Sequence, residues 1–286
     1  MTHYDPELIH PYATTDLMRF GQDQDGGYVI NRCILGPTKV LVGLGINADW
    51  SFEEDFARKA GDDLLVHGYD FSVSRDIFHK EYISRVLYLF SIKFLLRLLK
   101  SPAEAPALWK LVYGYARNAR KTDRTFPQFF DGVRHRFFQL GVSNTREGVF
   151  VPFDDVVAQL PAGLPDQSVF LKIDIELSEF RIMDDVLRHG RLLSGMAIEF
   201  HDLDILWDSF ARIMREAGRE FVLTHVHGNN YTGLIPGTGI PKALEVTFVH
   251  KSLLPANLSP FKGEYPLPGL DHPNEPGKAD IPLRFQ

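Results

Sequence analysis

One cysteine in 286 residues, Cys33, leaves the chain without an internal disulfide and without the thiolate set of a structural zinc site. Such sparing use of cysteine fits a reducing compartment, and the cytoplasm is the expected location. The opening stretch MTHYDPELIHPYATTD has no basic flank followed by an apolar run, so it does not read as a secretory signal. Positive charge is not in excess either. Thirty-one Lys and Arg stand against 37 Asp and Glu, a net charge of −6, which argues against a general nucleic-acid binder. The most apolar stretch, YISRVLYLFSIKFLLRLLK, is broken by Arg85, Lys93 and Arg97 and is too charged to span a bilayer.

What is present is a globular composition, 44% hydrophobic and 24% charged, in a chain long enough for one large α/β domain with an insertion and a tail. Seven short apolar runs recur along it: 39–45, 64–70, 135–142, 168–174, 196–201, 221–227 and 243–249. Helical spacing fills most of the intervals, the rhythm of a mostly parallel sheet. The last two runs are joined by a Gly- and Pro-containing loop without helical period, which predicts an antiparallel pair at the sheet edge. The expected fold is therefore α/β, Rossmann-like, with seven strands of which the last is reversed.

The expected domain comprises residues 1–76 and 132–254. Residues 77–131 read as a helical insertion, and 255–286, dense in Pro and Gly, as an extended arm. Within 77–125 there are ten Lys and Arg against three acids, a local balance of +7 that leaves −13 for the rest of the chain. A basic amphipathic helical pair of this kind suits a lid, a homodimer face or a peripheral membrane contact.

Chemistry in such folds gathers at the carboxyl ends of the strands. Gly43 and Gly45 lie where the first run turns toward a helix, and lacking a Cβ they let a ligand approach the backbone. The motif GLGINA fits several nucleotide-binding folds and is weak alone. Asp70 ends the second run, where a carboxylate can hold ribose hydroxyls; it equally suits a turn, with Ser72 and Ser74 close by. Asp25, Gly26 and Gly27 read first as a hairpin turn before Tyr28, Val29 and Ile30. Asp174, Glu176, Glu199, His201, His225 and His227 follow at other strand ends, where they could supply a base and its partner or, through Asp174 and Glu199, hold a divalent cation such as Mg2+.

Taken together, RFGQDQDGGYV, GLGINADWSFEEDFA, GYDFS, FLKIDIELSEF, AIEFHD and THVHGNN resemble, in content and order, the FkbM-type family of S-adenosylmethionine-dependent methyltransferases. The likeness spans residues 18–50 and 135–275. The family's middle motif usually reads KIDIEGAE, whereas Leu177 and Ser178 stand here in place of glycine and alanine. The resemblance implies bound S-adenosylmethionine and methyl transfer to an oxygen of a sugar, glycan or other small-molecule acceptor. It places Gly43 and Gly45 against the methionine part, Asp70 on the ribose and Gly141, Val142 and Ser143 near the adenine, with Asp25–Gly27 closing the pocket. His201 and His227 are then the base candidates, with Asp174 beside them. Two other classes compete: a metal-dependent hydrolase built on the His and Asp cluster, and a non-catalytic module on a membrane surface. A hydrolase does not need the glycine turn and Asp70 together, and a silent module does not need three polar strand ends converging.

Overall fold

The computed structural model describes residues 4–286. A hairpin of β1 (Leu17–Phe20) and β2 (Tyr28–Asn31) turns at Asp25–Gly27, as the turn chemistry predicts. After it come β3 (Val40–Leu44), α1 (Ser51–Ala60) and β4 (Leu65–Tyr69). Three helices follow without an intervening strand: α2 (Arg75–Leu89), α3 (Ile92–Lys100) and α4 (Ala105–Phe129). The chain then forms β5 (His135–Phe138), β6 (Gly141–Val142), β7 (Phe150–Val151), α5 (Phe153–Ala158), β8 (Val169–Ile173), α6 (Glu179–Arg188), β9 (Leu193–Phe200) and α7 (Leu203–Ala217). It closes with β10 (Phe221–Gly228), β11 (Leu244–His250), β12 (Gly263–Tyr265) and β13 (Leu283–Phe285).

Seven of these strands make one sheet in the order β10-β11-β9-β8-β3-β4-β5. All neighbours run parallel except β11, which is antiparallel to both β9 and β10. This is the Rossmann-like α/β arrangement, and each strand falls within or beside a predicted apolar run. The reversed last strand is not the rim of the sheet; it inserts between β9 and β10, which leaves β10 outermost.

β3 and β8 are buried on both faces because helices cover both sides of the sheet, and this is why they read as unbroken apolar runs. Their side chains alternate. Val40, Val42, Leu44, Leu171 and Ile173 join the core under α5, α6 and α7, while Leu41 and Phe170 join the opposite core under α1.

The third apolar run does not stay in the sheet. After Phe138 the backbone turns, with Leu140 N donating to Phe138 O at 2.7 Å, and Gly141–Val142 pairs with Phe150–Val151 as a separate two-stranded ribbon. The periodicity of residues 135–142 is uniform, so the break was not visible in it.

Candidate functional site

The carboxyl ends of β3, β4 and β8 open into a cavity of about 260 Å³. Among the residues that line it are Gly45, Asp70, Gly141, Val142 and Asp174, five positions singled out in the sequence. Gly45 has φ +81°, and an added Cβ would run into the carbonyl oxygen of Asp174, so both the turn and the close approach of β8 require glycine. Asp70 is held by three donors: Asn47 N at 2.7 Å to Oδ2, and Ser72 N and Oγ, each at 2.7 Å, to Oδ1. The turn role and the ligand role coexist, because a carboxylate with about four lone-pair sites keeps one on Oδ2.

The far wall is apolar. Phe71 and Phe150 stand with ring centroids 5.0 Å apart, and both line the cavity. Gly141 is what admits Phe150, since an added Cβ would come within 2.5 Å of the ring. Sequence reading missed both phenylalanines, although Phe71 directly follows the acid of GYDFS. The first residues of α1 do not line the cavity; the backbone at Gly45 and Asn47 does.

Two expected contributors lie elsewhere. Gly43 faces α1, where an added Cβ would stand 2.5 Å from Oε1 of Glu53. Its missing side chain is the space that the Glu53 carboxyl occupies, beside Lys172, which pairs with Gly43 across the β3–β8 ladder. Asp25–Gly27 also lie outside the cavity lining. Gln22 ties this turn to the approach of α1, donating to Asp25 O at 2.6 Å and to Asp49 Oδ2 at 2.7 Å.

Asp174, Glu176 and Ser178 also border the cavity, and beside the two acids stands His201. Its Nδ1 and its backbone N–H both lie 3.0 Å from Glu179 Oε1, a fully buried carboxylate at the start of α6. Its Nε2 lies 3.6 Å from Glu176 Oε2, 3.8 Å from Glu199 Oε1 and 3.9 Å from Asp174 Oδ1. Burial pulls the imidazole toward neutrality, but Glu179, Glu199 and Glu176 outweigh it and raise the pKa to about 9. Glu179, the last acid of KIDIELSE, therefore sets the orientation of His201, a role that its position in the motif did not disclose.

A second polar cluster extends under the C-terminal arm. Carboxylate oxygens of Asp25, Glu199 and Glu245 lie within 4.8 Å of one another. Asn274 donates to Glu245 Oε1 at 2.6 Å and to Asp25 Oδ1 at 3.2 Å, and Asn229 donates to Glu199 Oε1 at 2.6 Å. Burial first, then the charges of Asp174 and Glu245, push Glu199 well above the usual carboxylate range. Lys172 is buried beside this group, 2.7 Å from Gly45 O and 3.5 Å from Asp174 Oδ2.

Either Asp174, Glu176 and His201 or Asp25, Glu199 and Glu245 could supply one ligand atom each to a cation. The pair expected from the sequence, Asp174 with Glu199, is thus divided between the two sets, with His201 between them. The second set already has amide donors, whereas Asp174 and Glu176 of the first line the cavity.

His227 is not placed as a base for anything in the cavity. It is 1% exposed; Nδ1 lies 3.2 Å from Glu245 Oε2 and Nε2 lies 3.1 Å from Asp280 Oδ1, so carboxylates engage both nitrogens. His225, on the same strand face, meets Asp271 Oδ1 at 2.9 Å. The arm read as an extended wrap thus contributes Asp271, Asn274 and Asp280 to the polar cluster, while Tyr265, Ile281 and Leu283 enter the core.

The loop between β8 and α6 carries backbone strain. Glu176 (φ 48°) and Leu177 (φ 75°) are both left-handed, and Leu177 stands where the resembled family places glycine. Because this leucine is 40% exposed, Leu177→Gly gives up little packing. It should raise the unfolding free energy by up to about 1 kcal/mol, the left-handed cost less the entropy of glycine. Chemical denaturation measures this; a less stable variant would mean that side-chain contacts outweigh the backbone term.

No protein-family model matches the chain, and no curated protein matches it. Solved structures do. A precorrin-6y C5,15-methyltransferase from Geobacter metallireducens is 11% identical with a TM-score of 0.36, over 76% of this chain and 82% of its own. The cofactor-bound Rv0187 from MTB is 13% identical with a TM-score of 0.32, over 76% of this chain and 77% of its own. A SAM-dependent methyltransferase from Aquifex aeolicus is 8% identical with a TM-score of 0.29, over 75% of this chain and 84% of its own. At these scores the likenesses carry no functional weight, and the residues of the site must supply it.

Proposed function

We propose that the protein is an S-adenosylmethionine-dependent methyltransferase acting on a hydroxyl of a small molecule or glycan. The observation that carries this reading is that one cavity is lined together by aromatic and small residues (Phe71, Phe150, Gly141, Val142), a strand-end carboxylate (Asp70) and two further acids (Asp174, Glu176). A flat heterocycle, a ribose and a sulfonium cation are the complements of these three groups. S-adenosylmethionine, when bound, supplies an electrophilic methyl group. Phe71 and Phe150 would flank the adenine, Asp70 would accept from the ribose, and the backbone at Gly45 and Asn47 would meet the amino-acid part.

The chain's own contribution to the reaction is position and proton handling. Asp174 and Glu176 border the cavity that an acceptor hydroxyl would enter, and His201 is fixed beside them by Glu179. Asp174 is the group assigned to receive the proton of that hydroxyl, and His201, held as the imidazolium by its carboxylate neighbours, the group that orients it. Carboxylates and an imidazole along the entrance also suit the many hydroxyls of a sugar, which supports a glycan or polyol acceptor. FkbM-type membership rests on the ordered motifs of the sequence.

Titration calorimetry with S-adenosylmethionine and S-adenosylhomocysteine tests the reading. Both should bind the wild type, and Asp70→Ala should weaken binding by about 10- to 100-fold, the loss of a charge-assisted hydrogen bond in a half-enclosed site. If the wild type bound neither compound, the proposal would fall.

A further inference from the structure

The helices between β4 and β5 form an arm with two different ends. Its base is locked to the sheet domain by aromatic packing: Phe126 lies 5.4 Å from Trp50, 5.1 Å from Phe78 and 4.9 Å from Phe137 between ring centroids. From there α2 runs outward for 15 residues, about 22 Å at the rise of an α-helix, and α4 returns. At the outer end α3 is held by the buried Phe94, which packs on Tyr88 and Trp109.

Phe94 and the half-buried Leu98, one helical turn apart, make the face of α3 that packs on the arm. Opposite lie Ile92, Leu95, Leu96 and Leu99, spaced i, i+3, i+4 and i+7; with Leu87 and Phe90 they are 54–83% exposed. Lys93, Arg97 and Lys100 form a third stripe along one flank of that apolar row, and all three are exposed. A nine-residue helix with a buried seam, an uncovered apolar row and a cationic border is built to lie in an interface rather than across it. No helix among the described residues is long and apolar enough to cross a membrane.

We infer that the outer end of this arm docks on an anionic lipid surface, with Phe90, Ile92, Leu95, Leu96 and Leu99 in the acyl boundary and the basic stripe on the headgroups. Charge selects this occupant over a second copy of the chain. A two-fold contact would bring two +7 segments face to face, whereas an anionic bilayer answers the apolar row and the cations together. The −13 carried by the rest of the chain is repelled by the same surface, which orients the protein arm-first.

Flotation of the full-length protein with vesicles tests this independently of cofactor binding. The wild type should float with vesicles of phosphatidylcholine containing about a third phosphatidylglycerol, and at least about tenfold less with phosphatidylcholine alone. Leu96→Glu should reduce association with the anionic vesicles by about tenfold or more, and Lys93→Gln with Arg97→Gln by about fivefold or more. All these positions are exposed, so the variants should melt with the wild type. The inference is overturned if the wild type ignores anionic vesicles, if the variants float as well as it does, or if sedimentation shows a dimer that Leu96→Glu dissolves.

Discussion

Replacing His227 by glutamine should lower the unfolding free energy by about 3–5 kcal/mol near pH 7, the range found when one partner of a buried ion pair is removed. In the wild type the imidazole is 1% exposed and spans two carboxylates, Glu245 and Asp280. Burial favours its neutral form, but Glu245 and Asp280 more than reverse this and carry its pKa to about 10. A folded-state pKa above the unfolded value of about 6.5 stabilises the fold most below pH 6.5, and the contribution fades as pH rises through about 10. The gap between wild type and variant should therefore be widest at pH 6–7 and narrow toward pH 10. Thermal melts across this interval check it, with an expected shift on the order of 10 °C at neutral pH. A histidine present only for catalysis would leave the melting curve where it was.

Glu53→Gln should act in the other direction. Glu53 is 1% exposed, and its Oε1 has no hydrogen-bond partner in the pocket left by Gly43. Burial raises its pKa to about 7, against the opposing pull of Lys172. An acid with a raised folded-state pKa costs stability from the pH at which the unfolded chain ionises it while the fold still holds it protonated. The cost grows from pH 4.5 to pH 7 and stays constant above, amounting to as much as about 3 kcal/mol. Glutamine keeps the shape without the charge. The variant should thus be more stable than the wild type at pH 8 by up to about 3 kcal/mol, with the advantage closing as pH falls toward 4.5. Equal stability at pH 8 would show that Lys172 fully compensates the ionised carboxylate.

These two residues also mark where sequence reading stopped. The seven strands were legible because burial on both faces leaves long apolar runs, and Gly45, Asp70 and Asp174 were legible because strand ends in such a sheet converge. Glu53 was not, since an acid in the first turn of a helix ordinarily faces water and complements the helix dipole. His227 was legible as a strand-end histidine, but its partner Asp280 lies 53 residues on, in a segment with no periodicity to place it. The same holds for Asn274, while Phe71 and Phe150 became a pair only when the third apolar run left the sheet at Leu140.

The amide of Asn274 touches Asp25 across 249 residues of sequence. As the chain is synthesised, the β1–β2 turn emerges early, and the strands that bring Glu199, His227 and Glu245 together come much later. Until residue 274 has been added and the arm has closed, Asp25 and Glu245 face each other without their shared donor. The polar cluster under the C-terminal arm is therefore among the last parts of the protein to settle, and a nascent chain caught before that point would carry that cluster still open to water.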